Sequence, residues 1–139
     1  MNDTRPLLEM QGVSYNYPNQ PPIIDNCSFS INSGKIGLIG ANGCGKTTLL
    51  HLMVGLLKPE NGTILFNGER VTREKEYRQL RKSIGFLFQN SNDQLFSPTV
   101  IEDVAFGPLN MGFPPETARE LAHEVLNNLG LADFQDRVT

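Results

Sequence analysis

Gly40-Ala41-Asn42-Gly43-Cys44-Gly45-Lys46-Thr47-Thr48 fits the pattern G-x-x-x-x-G-K-[ST], and the chain is best read outward from it. Glycines at this spacing let the backbone curl so that successive N–H groups converge on phosphate oxygens. Lys46 supplies a point charge there, and Thr47 a hydroxyl suited to Mg²⁺. Such a loop should leave a buried strand and open a helix. Lys35-Ile36-Gly37-Leu38-Ile39 is a short apolar run that predicts the strand. From Lys46 to Leu57, Leu49, Leu50, Leu52, Met53, Val54, Leu56 and Leu57 fall nearly all round a helical circumference, which predicts a buried helix whose N-terminus adds partial positive charge to the loop. A glycine-rich turn without a ligand is the alternative, and the complete motif with both flanks argues against it.

The chain has 139 residues, enough for one domain with a core, and its formal net charge is −3 with acids and bases interspersed. That balance argues against a nucleic-acid partner, whose phosphates need neutralising. No apolar run reaches membrane-spanning length, and Met1-Asn2-Asp3-Thr4-Arg5-Pro6 lacks the apolar core of a secretory signal. A cytoplasmic location is expected, with any membrane contact made through a partner. Cys27 and Cys44 offer neither a disulfide framework nor metal-ligand spacing. Cys27 alternates with Phe29 and Ile31 and reads as a small buried apolar group. Cys44 lies inside the phosphate loop near Lys46, a setting that activates a thiol and one where bound nucleotide would shield it from maleimides.

Leu7 to Tyr15 predicts a strand ending in Tyr15-Asn16-Tyr17-Pro18, and the alternation of Cys27, Phe29 and Ile31 predicts a second, turned at Ser33-Gly34 into the strand that feeds the loop. Tyr17 can either pack against its loop or stack on a purine. Lys58-Pro59 stops the buried helix, and Gly62 to Val71 reads as a hairpin closed by Asn67-Gly68. Thr72 to Ser83 has Tyr77 and Leu80 at helical spacing and a Glu74/Arg78 pair one turn apart; its mixed charges read as a solvated face rather than a membrane patch. Ile84-Gly85-Phe86-Leu87-Phe88 predicts another buried strand. Gln89 at its end is either a surface glutamine or a ligand-facing amide at a strand's C-terminal edge. In the polar loop Asn90 to Pro98, Leu95 and Phe96 stand out as a surface that meets something. Thr99-Val100-Ile101-Glu102 reads as a capping box opening a helix that Gly107-Pro108 disturbs. After Pro114-Pro115, Ala118, Leu121, Ala122, Val125, Leu126 and Leu129 share a helical face that Gly130 ends.

Together these features resemble the nucleotide-binding domain of ABC transporters over essentially the whole chain. The fold class this implies is α/β: a P-loop NTPase core of the ABC ATPase type with an antiparallel β subdomain and the start of the helical subdomain. Tyr17 matches the family's adenine-stacking aromatic, Gly40 to Thr48 its Walker A loop, and Gln89 in Phe86-Leu87-Phe88-Gln89-Asn90 its Q-loop glutamine. The resemblance implies ATP and Mg²⁺ as cofactors. Asn42, Gly43, Cys44, Gly45, Lys46, Thr47 and Thr48 would cradle the phosphates, Lys46 and Gln89 would serve catalysis, and Thr47 and Gln89 would hold Mg²⁺. Gln89 to Gly112 further resembles the ATPases of energy-coupling-factor importers, above all the cobalt/nickel type. This implies a transmembrane subunit bound through Gln89 to Pro98, a second ATPase subunit, and a place on the cytoplasmic face of the membrane.

The resemblance stops at Asp136-Arg137-Val138-Thr139, where the family continues into a Leu-Ser-Gly-Gly-Gln signature; residues 1–139 therefore read as the N-terminal part of the domain, incomplete at the C-terminus. A Walker B aspartate, catalytic glutamate and switch histidine are absent from it. His51 and His123 are not placed to replace the histidine, and Glu102-Asp103 are poor substitutes for the acids. Phosphoryl transfer needs several groups positioned at once, so binding should survive better than turnover. Two expectations remain: the ATPase of an importer, or a non-catalytic nucleotide-binding remnant or interaction module. A P-loop kinase or GTPase is disfavoured, since there is no Asn-Lys-x-Asp guanine motif.

Overall fold

The computed structural model describes residues 5–90 and 94–139, so Ser91, Asn92 and Asp93 of the candidate partner loop lie outside the described residues. The chain forms two compact units, Met1–Phe86 and Leu87–Thr139.

The first unit is built on an antiparallel sheet of four strands in the order β2-β1-β3-β4. Strand β1 (Leu8–Tyr15) lies between β2 (Ile24–Ile31) and β3 (Asn61–Phe66), and β4 (Glu69–Val71) returns from β3. The hairpin turn falls at Asn67-Gly68, both at positive φ (52° and 81°), the backbone that a tight antiparallel turn asks of its two central residues. In β1 the inward side is Leu8 and Met10, and then Val13. The change from even to odd positions occurs at Gly12 (φ 58°), where the register with β2 shifts: one extra residue carries Val13 back to the core face.

Helix α1 (Lys46–Met53) and helix α2 (Glu74–Ser83) accompany the sheet, and Leu52, Tyr77 and Leu80 join Leu8, Met10, Val13, Ile24, Ile64 and Val71 in one core. Arg81 ties α2 to the residues just beyond α1: its Nη1 donates to the Gly55 carbonyl at 2.9 Å, while its Nη2 pairs with Glu74. Glu74 also meets Lys58 at 3.4 Å, whereas the Glu74/Arg78 pair expected from helical spacing is long, at 4.0 Å. Arg81 foremost holds the Glu74 carboxyl below its usual range against the opposing effect of burial.

At the start of α2, the Glu76 carboxylate accepts the main-chain N–H groups of Thr72 and Arg73, both at 2.8 Å, and the Thr72 hydroxyl at 2.9 Å. The Arg73 N–H, then that of Thr72, then both side chains bring Glu76 from 4.5 down to about 2. A depressed folded-state carboxyl stabilises above its unfolded value, and that contribution fades as pH falls from about 4.5 towards about 2. In Glu76→Gln, therefore, acid unfolding followed by far-ultraviolet circular dichroism should lose steepness in that window; an unchanged profile would contradict the linkage.

Two sequence expectations are corrected in this unit. Lys35–Ile39 is not a strand, and its side chains face solvent, Ile39 at 96 % exposure. Of Ile84–Phe88, which is not a strand either, Ile84 packs against the core and Phe86 lies edge-on to His51 at 5.4 Å. A strand buried on both faces gains its stability from neighbours on either edge, and no strand among the described residues pairs with these runs. Helix α1 is accordingly not buried all round. It ends at Met53 rather than Leu57, with Thr48 and Leu52 buried and Leu50 exposed.

The second unit is a helical pair, α3 (Val100–Met111) and α4 (Pro115–Asn128), sharing a core of Ile101, Ala105, Ala122 and Leu126. The capping box at Thr99 is present: Glu102 Oε2 accepts the Thr99 N–H at 3.1 Å and its hydroxyl at 2.8 Å. Helix α3 runs through Gly107-Pro108 and ends at Gly112 (φ 95°); proline near a C-terminus forfeits one helical hydrogen bond and leaves most of the helix intact. Pro115 occupies the first helical position of α4, where its missing N–H costs nothing. At the other end, Gly130 N–H donates to Asn127 O at 3.0 Å and Leu131 N–H to Leu126 O at 2.8 Å, closing the helix where expected. The buried seam of α4 is narrower than the apolar stripe, because Val125 and Leu129 are exposed. Residues 135–139 run back beside the start of α3: Val100 N–H donates to Arg137 O at 3.0 Å, Ile101 N–H donates to Gln135 O at 2.9 Å, and Thr99 bridges Val138.

Candidate phosphate-binding loop

Three local facts shape the loop between Gly40 and Thr48. Gly45, immediately before α1, has φ 93°, and a Cβ there would come within 3.0 Å of the Ile23 carbonyl oxygen, so both backbone conformation and space require glycine. A Cβ on Gly40 would sit 2.7 Å from Cys44 Sγ. Helix α1 makes its first intrahelical bond from Leu49 N–H to Gly45 O at 2.8 Å, which leaves the main-chain donors of Lys46, Thr47 and Thr48 at the helix start for an anion.

The Lys46 ammonium turns back over the loop, donating to Gly40 O at 2.9 Å and Ala41 O at 2.7 Å, with Cys44 Sγ at 3.9 Å. Neutral carbonyls are modest partners for a full charge, so an anionic phosphate can displace them. Asn42, Gly43, Cys44 and Thr47 are exposed, while Thr48 is 5 % exposed. Tyr17 is half-buried beside the same helix start: its hydroxyl shares a hydrogen bond of 3.2 Å with Thr48 Oγ1, and Tyr15 meets its ring edge-on at 5.2 Å. The structure therefore brings Tyr17 together with the loop, a contact across 31 positions that no local pattern announced. These residues suit ATP with Mg²⁺: main-chain donors at the start of α1, a cation held by neutral carbonyls, an exposed Thr47 hydroxyl and an aromatic ring alongside, while the Cys44 N–H is engaged by Ala41 O at 3.4 Å.

Gln89 belongs to the other unit, where it lies exposed at a bend. Leu95 and Phe96 are also exposed there, Phe96 at 62 %, and the Phe96 and Phe106 rings meet edge-to-face at 4.5 Å. Of the two acids set aside as substitutes for catalytic carboxylates, Glu102 is engaged by Thr99 and Asp103 by the main chain of Ser97, at 2.8 Å. No described helix is long and apolar enough to cross a membrane.

The ABC transporter family profile matches residues 24–139. A relative from Nitratidesulfovibrio vulgaris, named for ABC transporter ATP binding, is 49 % identical over all of this chain and 52 % of its own length. The energy-coupling factor transporter ATP-binding protein EcfA of Methanothermobacter thermautotrophicus is 41 % identical over 94 % of this chain and 43 % of its own. Among solved structures, cbiO1 from Clostridium perfringens, described as part of the ABC transporter complex cbiONQ, superposes with a TM-score of 0.81. It is 33 % identical and is covered over 54 % of its length by 96 % of this chain. The chain thus spans about half the length of these relatives. The family match, with the antiparallel sheet, the helical pair and these likenesses, makes the chain a member of the ABC transporter family.

Proposed function

We propose that the chain belongs to the ATP-binding subunit of an energy-coupling-factor importer that takes up cobalt or nickel ions, or another substrate of that class, at the cytoplasmic face of the membrane. The observation that carries this reading is the loop: Gly45 opening α1, with the Lys46 ammonium resting on two replaceable carbonyls. The resemblance of Gln89 to Gly112 to the importer ATPases supports the subclass, as do relatives named EcfA and cbiO1.

In this reading Asn42 to Thr48 bind the polyphosphate through main-chain N–H groups, Lys46 offsets its charge, and Tyr17 stacks on the adenine. Thr47 and Gln89 would hold Mg²⁺, which would supply charge neutralisation to the phosphates. Gln89 to Pro98 face the transmembrane subunit, with Leu95 and Phe96 as its apolar contacts, and a second ATPase subunit completes the assembly. Phe96→Asp or Leu95→Asp should leave Mg-ATP affinity within about twofold, since neither residue belongs to the loop and changes at exposed positions cost little. The same variants should lower co-purification with the membrane subunit by roughly tenfold or more, as expected on burying an unpaired charge. Equal losses in both measurements would refute this division of labour.

A second reading, a nucleotide-binding module without turnover, is favoured by the solvent-facing side chains of Lys35–Ile39 and Leu87, the latter 82 % exposed. Phosphate release by the chain well above a Lys46→Ala control would exclude it.

A further inference from the structure

Leu95 and Phe96 expose large apolar side chains, and a loop with that composition should either fold inward or sample many conformations unless something holds it. Asp103, on the first turn of α3, is that something. Its Oδ1 accepts the Ser97 N–H at 2.8 Å and the Phe96 N–H at 3.4 Å. One turn further along α3, Phe106 receives the Phe96 ring edge-to-face at 4.5 Å, so Asp103 and Phe106 grip main chain and side chain from neighbouring positions on one helix face. From the other side Thr99 bridges Val138, and the Thr139 hydroxyl donates to the Ser97 carbonyl.

Helix capping does not account for Asp103. Glu102 already serves the helix start through Thr99, and the Val100 and Ile101 N–H groups are taken by Arg137 and Gln135. Asp103 Oδ2 is buried without a hydrogen-bond partner among the described residues, a desolvation cost offset by the main-chain bonds that Oδ1 accepts from the loop. Burial raises its carboxyl, and the hydrogen bonds from Ser97, side chain and main chain, and from Phe96 outweigh that and hold it below the usual range.

We infer that Asp103 is a positioning residue for partner recognition: it ties the main chain of Phe96 and Ser97 to α3, so that Leu95 and Phe96 are held outward beside Phe106 in the orientation the membrane subunit meets. The inference rests on the docking role proposed above for that loop. Pre-ordering of this kind lowers the entropic cost of association without adding a contact.

The chain contains no tryptophan, so Phe96→Trp places a single fluorescent reporter at the loop. In that background Asp103→Ala should raise acrylamide quenching of the reporter about twofold, as an aromatic side chain loses its ring contact. It should also weaken binding to the detergent-solubilised membrane subunit about tenfold, the effect of leaving two side chains to be ordered on binding. Asp103→Asn, which keeps an acceptor oxygen for the Ser97 N–H, should restore most of both. Mg-ATP affinity and helical ellipticity should stay at parental values. Unchanged quenching in Asp103→Ala, or a loss of ellipticity that accounts for it, would overturn the assignment to Asp103 while leaving the docking role intact. Full binding of the membrane subunit by Leu95→Asp and Phe96→Asp would instead overturn the docking role, and this inference with it.

Discussion

Lys46→Ala should weaken Mg-ATP binding at least about a hundredfold in isothermal titration calorimetry. The ammonium is the one full positive charge within the loop, and each charge-assisted hydrogen bond it would give a phosphate is worth about 1.5–3 kcal/mol, so losing two reaches that factor. Among the described residues its hydrogen bonds go to the Gly40 and Ala41 carbonyls, with a long contact to Cys44, all within the loop. The melting temperature should therefore move by no more than a few degrees, as for other changes away from a core. This separation of binding from stability is the sharpest test of the site. A Lys46→Ala protein that takes up Mg-ATP with parental heat and affinity would remove the basis for every role given to Tyr17, Thr47 and Gln89.

The opposite pattern is expected at Tyr77. Its side chain is 2 % exposed, and it packs so closely on the segment after α1 that a Cβ on Gly55 would lie 2.5 Å from its ring. Truncation to alanine removes the largest side chain of the core and leaves a hole between α2 and the end of α1, at a cost of about 3–5 kcal/mol. For a unit of this size that corresponds to a fall in melting temperature on the order of 15–30 °C, and a large share of a typical total stability. Tyr77→Phe keeps the ring and should stay within about 1 kcal/mol of the parent. Differential scanning calorimetry of the pair decides the matter: a loss of under about 5 °C in Tyr77→Ala would mean that the sheet and α1 hold together without α2.

Much of this architecture was readable because its causes are local. Asn67-Gly68 accepts positive φ, Glu102 reaches Thr99 three residues away, and Gly130 closes a helix within its own last turn. The turn at Gly45 into α1 is of the same kind, since a glycine's own backbone freedom sets it. What escaped depends on partners that no periodic pattern identifies. Lys35–Ile39 and Ile84–Phe88 have the composition of buried strands, but a strand exists only where a neighbour pairs with it, and composition says nothing about that. The Tyr17 bond to Thr48, the retraction of Lys46 onto Gly40 and Ala41, and the Asp103 grip on Ser97 join residues by geometry rather than by any repeated spacing. The Gly12 bulge lies between these cases: a glycine inside an apolar alternation marks it, but only the pairing with β2 reveals that it switches the inward face.

The return of residues 135–139 to the start of α3 carries a consequence for synthesis. Val100 and Ile101 obtain their hydrogen-bond acceptors from Arg137 and Gln135, which the ribosome adds more than thirty residues later. While those late residues are still in the exit tunnel, the nascent helix has a frayed beginning, and the loop carrying Leu95 and Phe96 lacks one of its two anchors. The surface proposed to face the membrane subunit would then be the last part of this stretch to mature during translation, after the Gly40–Thr48 loop has already emerged.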